Sequence, residues 1–303
     1  MTRTTDGSPW FRNYRPAPQA PVRLFALPHA GGSASYFHPL AGALSPAVDV
    51  YGVQYPGRQD RRAEPGETSL ERLADRITAE LLALDDGRPY ALFGHSMGAM
   101  LSFEVARRTE AAGRGPAHLF VSGRPAPCQD EYEAWFPRTD EEVVAELRAL
   151  NATDDGLLDD PEVRSMLLPP LRTDYRAVRE YRFRPGPPLH TAITALTGDS
   201  DHMAEVGKVD RWRDHTRSAF GLWVLPGGHF FLSDRLDEIA GAVTDALARP
   251  EALTRPGALA GPGAPTRPGA PVRPAAPVGP AAPVGPAAPV GPAAPVGPAA
   301  VAA

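Results

Sequence analysis

Gly94-His95-Ser96-Met97-Gly98 carries the strongest chemical signal in the sequence. A serine with glycine two residues away on each side fits a sharp strand-to-helix turn that lifts the hydroxyl clear of the backbone. Side chains at 94 and 98 would collide with neighbouring chain in such a turn. A serine of this kind becomes a nucleophile when a base lies within hydrogen-bond reach and a third group orients that base. Eight histidines compete for the base. His229, in Leu225-Pro226-Gly227-Gly228-His229-Phe230-Phe231, lies between the last apolar run and the terminal helical pattern. His202 and His215 precede that run, and His29 and His95 flank the serine but are poorly placed to serve it. Gly198-Asp199-Ser200-Asp201-His202 offers two acids, Asp199 and Asp201, each able to reach His229. Charge developing on an attacked carbonyl needs two backbone N–H donors. Met97, the residue after the nucleophile, supplies one. The loop Pro28-His29-Ala30-Gly31-Gly32-Ser33-Ala34 supplies the other, with Ala30 the best-placed donor.

These residues must be held by elements that the sequence also outlines. Short apolar runs at 22–27, 48–53, 90–93, 118–122, 192–197 and 222–225 alternate with amphipathic helical patterns. That alternation predicts an α/β fold with a mostly parallel sheet covered by helices. One helix starts at Thr68, where Thr68 and Glu71 make a capping box, and turns Leu70, Leu73, Ala74, Ile77 and Leu81 to one face. A second follows Ser96, and a third runs from about Ser233 to Leu247. The stretch from about 128 to 188 breaks the alternation. It holds a capping box at Thr139 and Glu142 and an apolar stripe through Leu167, Leu171, Tyr175 and Val178, which Pro169 and Pro170 should interrupt or kink. A helical insertion there reads as a lid over the site.

Composition bounds the rest. Residues 1–249 suit one α/β domain. From 250 to 303 the chain is mainly Ala, Pro, Gly and Val with scattered Arg, settling from Pro271 into a Pro-Val-Gly-Pro-Ala-Ala repeat. Such sequence cannot bury enough apolar surface to offset its ordering entropy, so a disordered tail is expected. The net charge of −5, with tail arginines offsetting a more acidic body, argues against nucleic acid as a partner. Cys128 is the only cysteine, which excludes an intrachain disulfide and a cysteine metal cluster. No apolar run approaches the ~18 residues of a membrane span, and the first residues do not read as a signal peptide. A cytoplasmic monomer with no metal or other cofactor is expected.

The elbow, the late histidine and the predicted sheet together resemble the α/β-hydrolase fold, whose triad follows the chain order Ser, Asp, His. Hydrolases of this fold usually carry Gly-x-x-Asp after the corresponding strand, which selects Asp201 and leaves Asp199 to shape the turn. The sequence further resembles the type II, or editing, thioesterases that act beside polyketide synthases and nonribosomal peptide synthetases. The resemblance rests on Trp10-Phe11-Arg12, on Leu27-Pro28-His29-Ala30-Gly31-Gly32-Ser33-Ala34 and on Tyr55-Pro56-Gly57-Arg58. It continues through Gly94-His95-Ser96-Met97-Gly98-Ala99 and Pro226-Gly227-Gly228-His229-Phe230-Phe231-Leu232. It implies a catalytic Ser96, Asp201 and His229, with an oxyanion hole from the amides of Ala30 and Met97. The implied substrate is an acyl group on the phosphopantetheine arm of an acyl or peptidyl carrier protein. The same triad would serve a carboxylesterase or small lipase, and a body that merely docks a carrier protein is the non-enzymatic alternative. Within the resemblance the Pro/Ala tail is a departure.

Overall fold

A computed structural model describes residues 3–4, 8–128, 137, 139–150 and 155–248 of the chain. They belong to the first of two units, Met1–Leu259; the second, Ala260–Ala303, lies outside the described residues, as does the whole expected tail.

Eight strands form one sheet in the order β1-β2-β4-β3-β5-β6-β7-β8. They are β1 (Arg3–Thr4), β2 (Phe11–Asn13), β3 (Arg23–Leu27), β4 (Asp49–Val53), β5 (Tyr90–His95), β6 (His118–Ser122), β7 (Ala192–Gly198) and β8 (Phe220–Leu225). From β4 across to β8 every pairing is parallel; β1 and β2 run antiparallel at one edge. The central strands β5 and β6 are buried along their whole length, as expected of strands covered on both faces. Their side chains alternate between two cores. Leu92 of β5 and Phe25 and Leu27 of β3 enter one, while Ala91, Phe93, Leu24 and Ala26 enter the other.

The helices are α1 (His38–Leu44), α2 (Leu70–Ala83), α3 (Met97–Ala111), α4 (Asp140–Ala149), α5 (Asp155–Asp159), α6 (Pro161–Glu180), α7 (Val206–Asp210) and α8 (Leu236–Leu247). Helices α1 and α8 pack on one face of the sheet. Helices α2 and α3 pack on the other, in the core that α4 and α6 also join. The predicted α/β class and parallel sheet are the observed architecture. No helix among the described residues is long and apolar enough to cross a membrane.

Four local expectations differ from the structure. Helix α2 is capped by Ser69, not Thr68: the Ser69 hydroxyl accepts the Arg72 N–H at 3.2 Å, so Thr68 and Glu71 form no capping box. The terminal helix begins at Leu236 because a 3-10 turn, Phe231–Ser233, comes before it. Strand β2 went unread because three residues containing Arg and Asn give no apolar run. Pro169 and Pro170 sit inside a continuous α6. The two missing N–H donors leave the carbonyls of Ser165 and Met166 without helical partners, and both residues are exposed, so water can satisfy them. The predicted box at Thr139 and Glu142 does form, with both arms at 3.2 Å. Within the segment predicted as a lid, the described residues are helical or irregular; 129–136, 138 and 151–154 lie outside them.

Candidate active site

Ser96 stands between the end of β5 and the start of α3 with φ 55° and ψ −115°, a conformation that L side chains rarely adopt. The glycines make that turn possible. A Cβ on Gly94 would lie 2.1 Å from the Gly98 carbonyl oxygen, and one on Gly98 would lie 2.0 Å from the Leu27 carbonyl oxygen. The Ser96 N–H donates to Ser122 O at 2.8 Å, which ties the turn to β6.

The loops after β7 and β8 bring Asp201 and His229 together. Gly198 allows their close approach, since a Cβ there would lie 2.2 Å from Gly227 O. His229 Nδ1 lies 2.8 Å from Asp201 Oδ2, and both residues are only 4% exposed. Asp201 Oδ1 accepts the Met203 N–H at 2.9 Å, so each carboxylate oxygen has its own partner. Paired in this way, the ring donates through Nδ1 and keeps Nε2 for a proton from elsewhere. Asp199 is exposed and does different work. Its Oδ1 accepts the Gly227 N–H at 3.1 Å and the Ser200 hydroxyl at 2.8 Å. The Gly227 amide, foremost, holds its carboxyl below the usual range.

Ser96, Met97, His29, Ala30 and His229 line one cavity, which Leu147 of α4, Leu150 just after it, and Leu167, Leu171, Tyr175 and Val178 of α6 also line. The four α6 residues follow helical spacing and form one apolar face toward the pocket. Arg124, after β6, also reaches the cavity. In the loop after β3, the amides of Gly31, Gly32 and Ala34 donate to Asp174 Oδ2, His29 O and Gln54 Oε1 at 2.7, 2.9 and 2.9 Å. The Ala30 N–H donates to no group among the described residues. Met97 opens α3, where an N–H has no acceptor within the helix. Two further histidines sit in the wall. His95 Nδ1 lies 3.1 Å from the Ser122 hydroxyl, and its ring is 5.0 Å from that of His229. Burial, and next the nearby His229, push His95 well below its usual range and His29 down to about 3, so both are neutral.

A family model described as Thioesterase domain matches residues 22–247. The chain belongs to the thioesterase family. It is 48% identical over 238 residues to a probable cadicidin biosynthesis thioesterase of Streptomyces griseus, covering 78% of this chain and 66% of that relative. It is 44% identical over 243 residues to the thioesterase PikA5 of Streptomyces venezuelae, covering 80% and 86%. Among solved structures, BorB, a type II thioesterase from the borrelidin biosynthetic cluster, superposes with a TM-score of 0.71 at 46% identity. That match covers 80% of this chain and all of BorB. The fold is thus the α/β-hydrolase fold of the thioesterases, a mostly parallel sheet covered by helices.

Two polar residues of this thioesterase's site escaped the sequence reading. Arg58, in the Tyr-Pro-Gly-Arg run, was noted only as part of a resemblance. Asp174, on α6, does not enter the sequence reading at all. Its signal was a single charge on the otherwise apolar side of the 171–178 stripe.

Proposed function

We propose that this thioesterase hydrolyses acyl thioesters from the phosphopantetheine arm of an acyl or peptidyl carrier protein of a polyketide or nonribosomal peptide synthase, clearing stalled or wrongly loaded units. The observation that carries the reading is Ser96, strained at φ 55° and sharing an apolar-roofed cavity with a His229 held by buried Asp201. Relatives in cadicidin biosynthesis and the borrelidin cluster support the context.

The chemistry follows from the groups at hand. His229 Nε2 takes the Ser96 proton as Oγ attacks the thioester carbonyl, and the amides of Ala30 and Met97 stabilise the oxyanion. Collapse expels the thiol, which takes the proton from His229, and leaves an acyl-Ser96. Water, deprotonated by His229, then attacks that ester; the acid leaves and Ser96 regains its proton. Asp201 orients the imidazole and stabilises its charged form. In this reading residues 1–249 are the catalytic domain, α4 to α6 are its lid, the tail is an appendage, and the enzyme works as a cytoplasmic monomer.

The test is turnover of a panel of acyl groups, each offered on a small thiol, on a carrier protein and as an oxygen ester. Carrier-bound thioesters should be preferred. Ser96→Ala should lose on the order of 10⁶ in kcat and escape labelling by a fluorophosphonate that modifies the wild type. Preference for oxygen esters would replace the reading with an esterase. Residual activity above about a hundredth of wild type would overturn the nucleophile.

A further inference from the structure

The run Tyr55-Pro56-Gly57-Arg58 follows β4 and, with Gln54, grips the loop after β3 at three points. Tyr55, fully buried, donates its hydroxyl to Pro28 O at 3.1 Å. Arg58 Nη1 donates to Gly32 O at 2.9 Å, and Gln54 Oε1 accepts the Ala34 N–H at 2.9 Å. Arg58 also reaches the lid. Its Nη1 and Nη2 each donate to a different oxygen of Asp174 at 2.8 Å, with side-chain exposures of only 5% and 2%. The same Asp174 Oδ2 accepts the Gly31 N–H at 2.7 Å. One helical turn earlier, Leu171 lies so close over Gly31 that a Cβ there would stand 2.5 Å from Leu171 Cδ2. Gly31 meets this seat with φ +74°, a conformation open to glycine.

We propose that Asp174 of the lid helix α6 is a positioning residue of the oxyanion hole, clamped by Arg58 so that the hole is complete only while α6 is seated. The carboxylate engages the Gly31 amide and so fixes the Ala30–Gly31 peptide plane. The Ala30 amide is left unengaged in the wall of the cavity that Ser96 also lines. Lifting α6 would strip Gly31 of its acceptor and leave the Arg58 guanidinium and the Asp174 carboxylate without each other. Such a buried bidentate pair gives geometry more reliably than stability. The proposal rests on the reading of Ala30 as an oxyanion donor.

Asp174→Asn in the full chain tests it. Two measurements are made beside the thermal midpoint: kcat and KM for an acetyl thioester of a small thiol, and affinity for a trifluoromethyl ketone whose adduct with Ser96 places an oxyanion in the hole. The acetyl group is too short to use the lid's apolar face, so a merely structural role would move only the midpoint. Expected are a fall in kcat of about 10²-fold, comparable to losing one oxyanion donor, an unchanged KM, and a matching loss of ketone affinity while the product acid binds as before. Arg58→Lys, which keeps the charge but loses the fork, should show the same pattern more weakly, and Asp174→Asn combined with it should be far less than multiplicative. If Asp174→Asn does not fold, Arg58→Lys carries the test alone. A folded variant with kcat and ketone affinity within about threefold of wild type would overturn the proposal. The ketone reads the hole whatever ester the enzyme prefers, so a failed substrate assignment would remain distinguishable.

Discussion

Asp201→Asn against Asp199→Asn is the sharpest test of the assigned acid. In the native site Asp201 Oδ1 is already committed to the Met203 N–H at 2.9 Å, and Oδ2 faces His229 Nδ1 at 2.8 Å. An asparagine at 201 must therefore turn its carbonyl oxygen to Met203 and its NH₂ to the imidazole. That forces the tautomer with hydrogen on Nε2, which cannot take the Ser96 proton. In another triad hydrolase the equivalent change lowers kcat about 10⁴-fold. With so little room to rotate at 4% exposure, a loss of 10³–10⁴, or about 4–5.5 kcal/mol of transition-state stabilisation, is expected here. Asp199→Asn keeps a carbonyl oxygen for Gly227, so its kcat should stay within about tenfold of wild type. The assay is thiol release from an acyl-pantetheine thioester under saturating substrate, with circular dichroism to certify the fold. A reversed ranking would make Asp199 the acid, and two small effects would remove the carboxylate from the mechanism.

The other predictions follow from the pocket, the buried histidines and the tail. Val178→Phe should favour short acyl chains and Leu167→Ala long ones, each changing the long-to-short ratio of kcat/KM on the order of tenfold; an unchanged acyl profile across both would argue against the lid. His95, well below the ordinary value of 6.5, and His29, at about 3, stay neutral in the fold while the unfolded chain takes protons. Their contribution is complete above pH 6.5 and falls as pH drops toward the folded values, by about 1.4 kcal/mol per unit for fully buried His95. Urea unfolding at pH 7.5 and 5.5 should show the decline, less steep in His95→Gln, and equal stability at the two pH values would contradict it. Truncation after Pro250 should leave kcat and the thermal midpoint unchanged, because no apolar periodicity follows α8; a drop of more than a few degrees would place the domain boundary elsewhere.

The six strand candidates were legible because each is a short, mostly apolar run, five of the six ending at Gly or Pro, and the parallel order follows from the helices between them. Boundaries were harder where two residues compete for one job. Thr68 and Ser69 are both good caps, and only the geometry of the turn decides which hydroxyl reaches the third helical N–H. The Pro169-Pro170 pair misleads in another way. A proline is costly in a helix when the carbonyls it orphans are buried, and here they belong to Ser165 and Met166, both exposed residues, which no spacing rule can report.

The proposed site residues were easier to nominate from the sequence than the scaffold around them, for a physical reason. A nucleophile and its base demand particular residue types, and backbone oxyanion donors demand a place in the chain beside them, so type and position are enough to nominate all of them. The supporting contacts demand only complementary groups in space. Asp174 meets Gly31 across 143 residues and Arg58 across 116, and no local pattern links them. Three aspartates make the point. Asp201 is buried against an imidazole, Asp174 is buried against a guanidinium, and Asp199 lies in solvent against a backbone amide. The side chain is the same, and each partner fixes the role. Asparagine at the three positions should accordingly fail in three ways: a lost tautomer at 201, a loosened oxyanion loop at 174, and little more than a softened turn at 199.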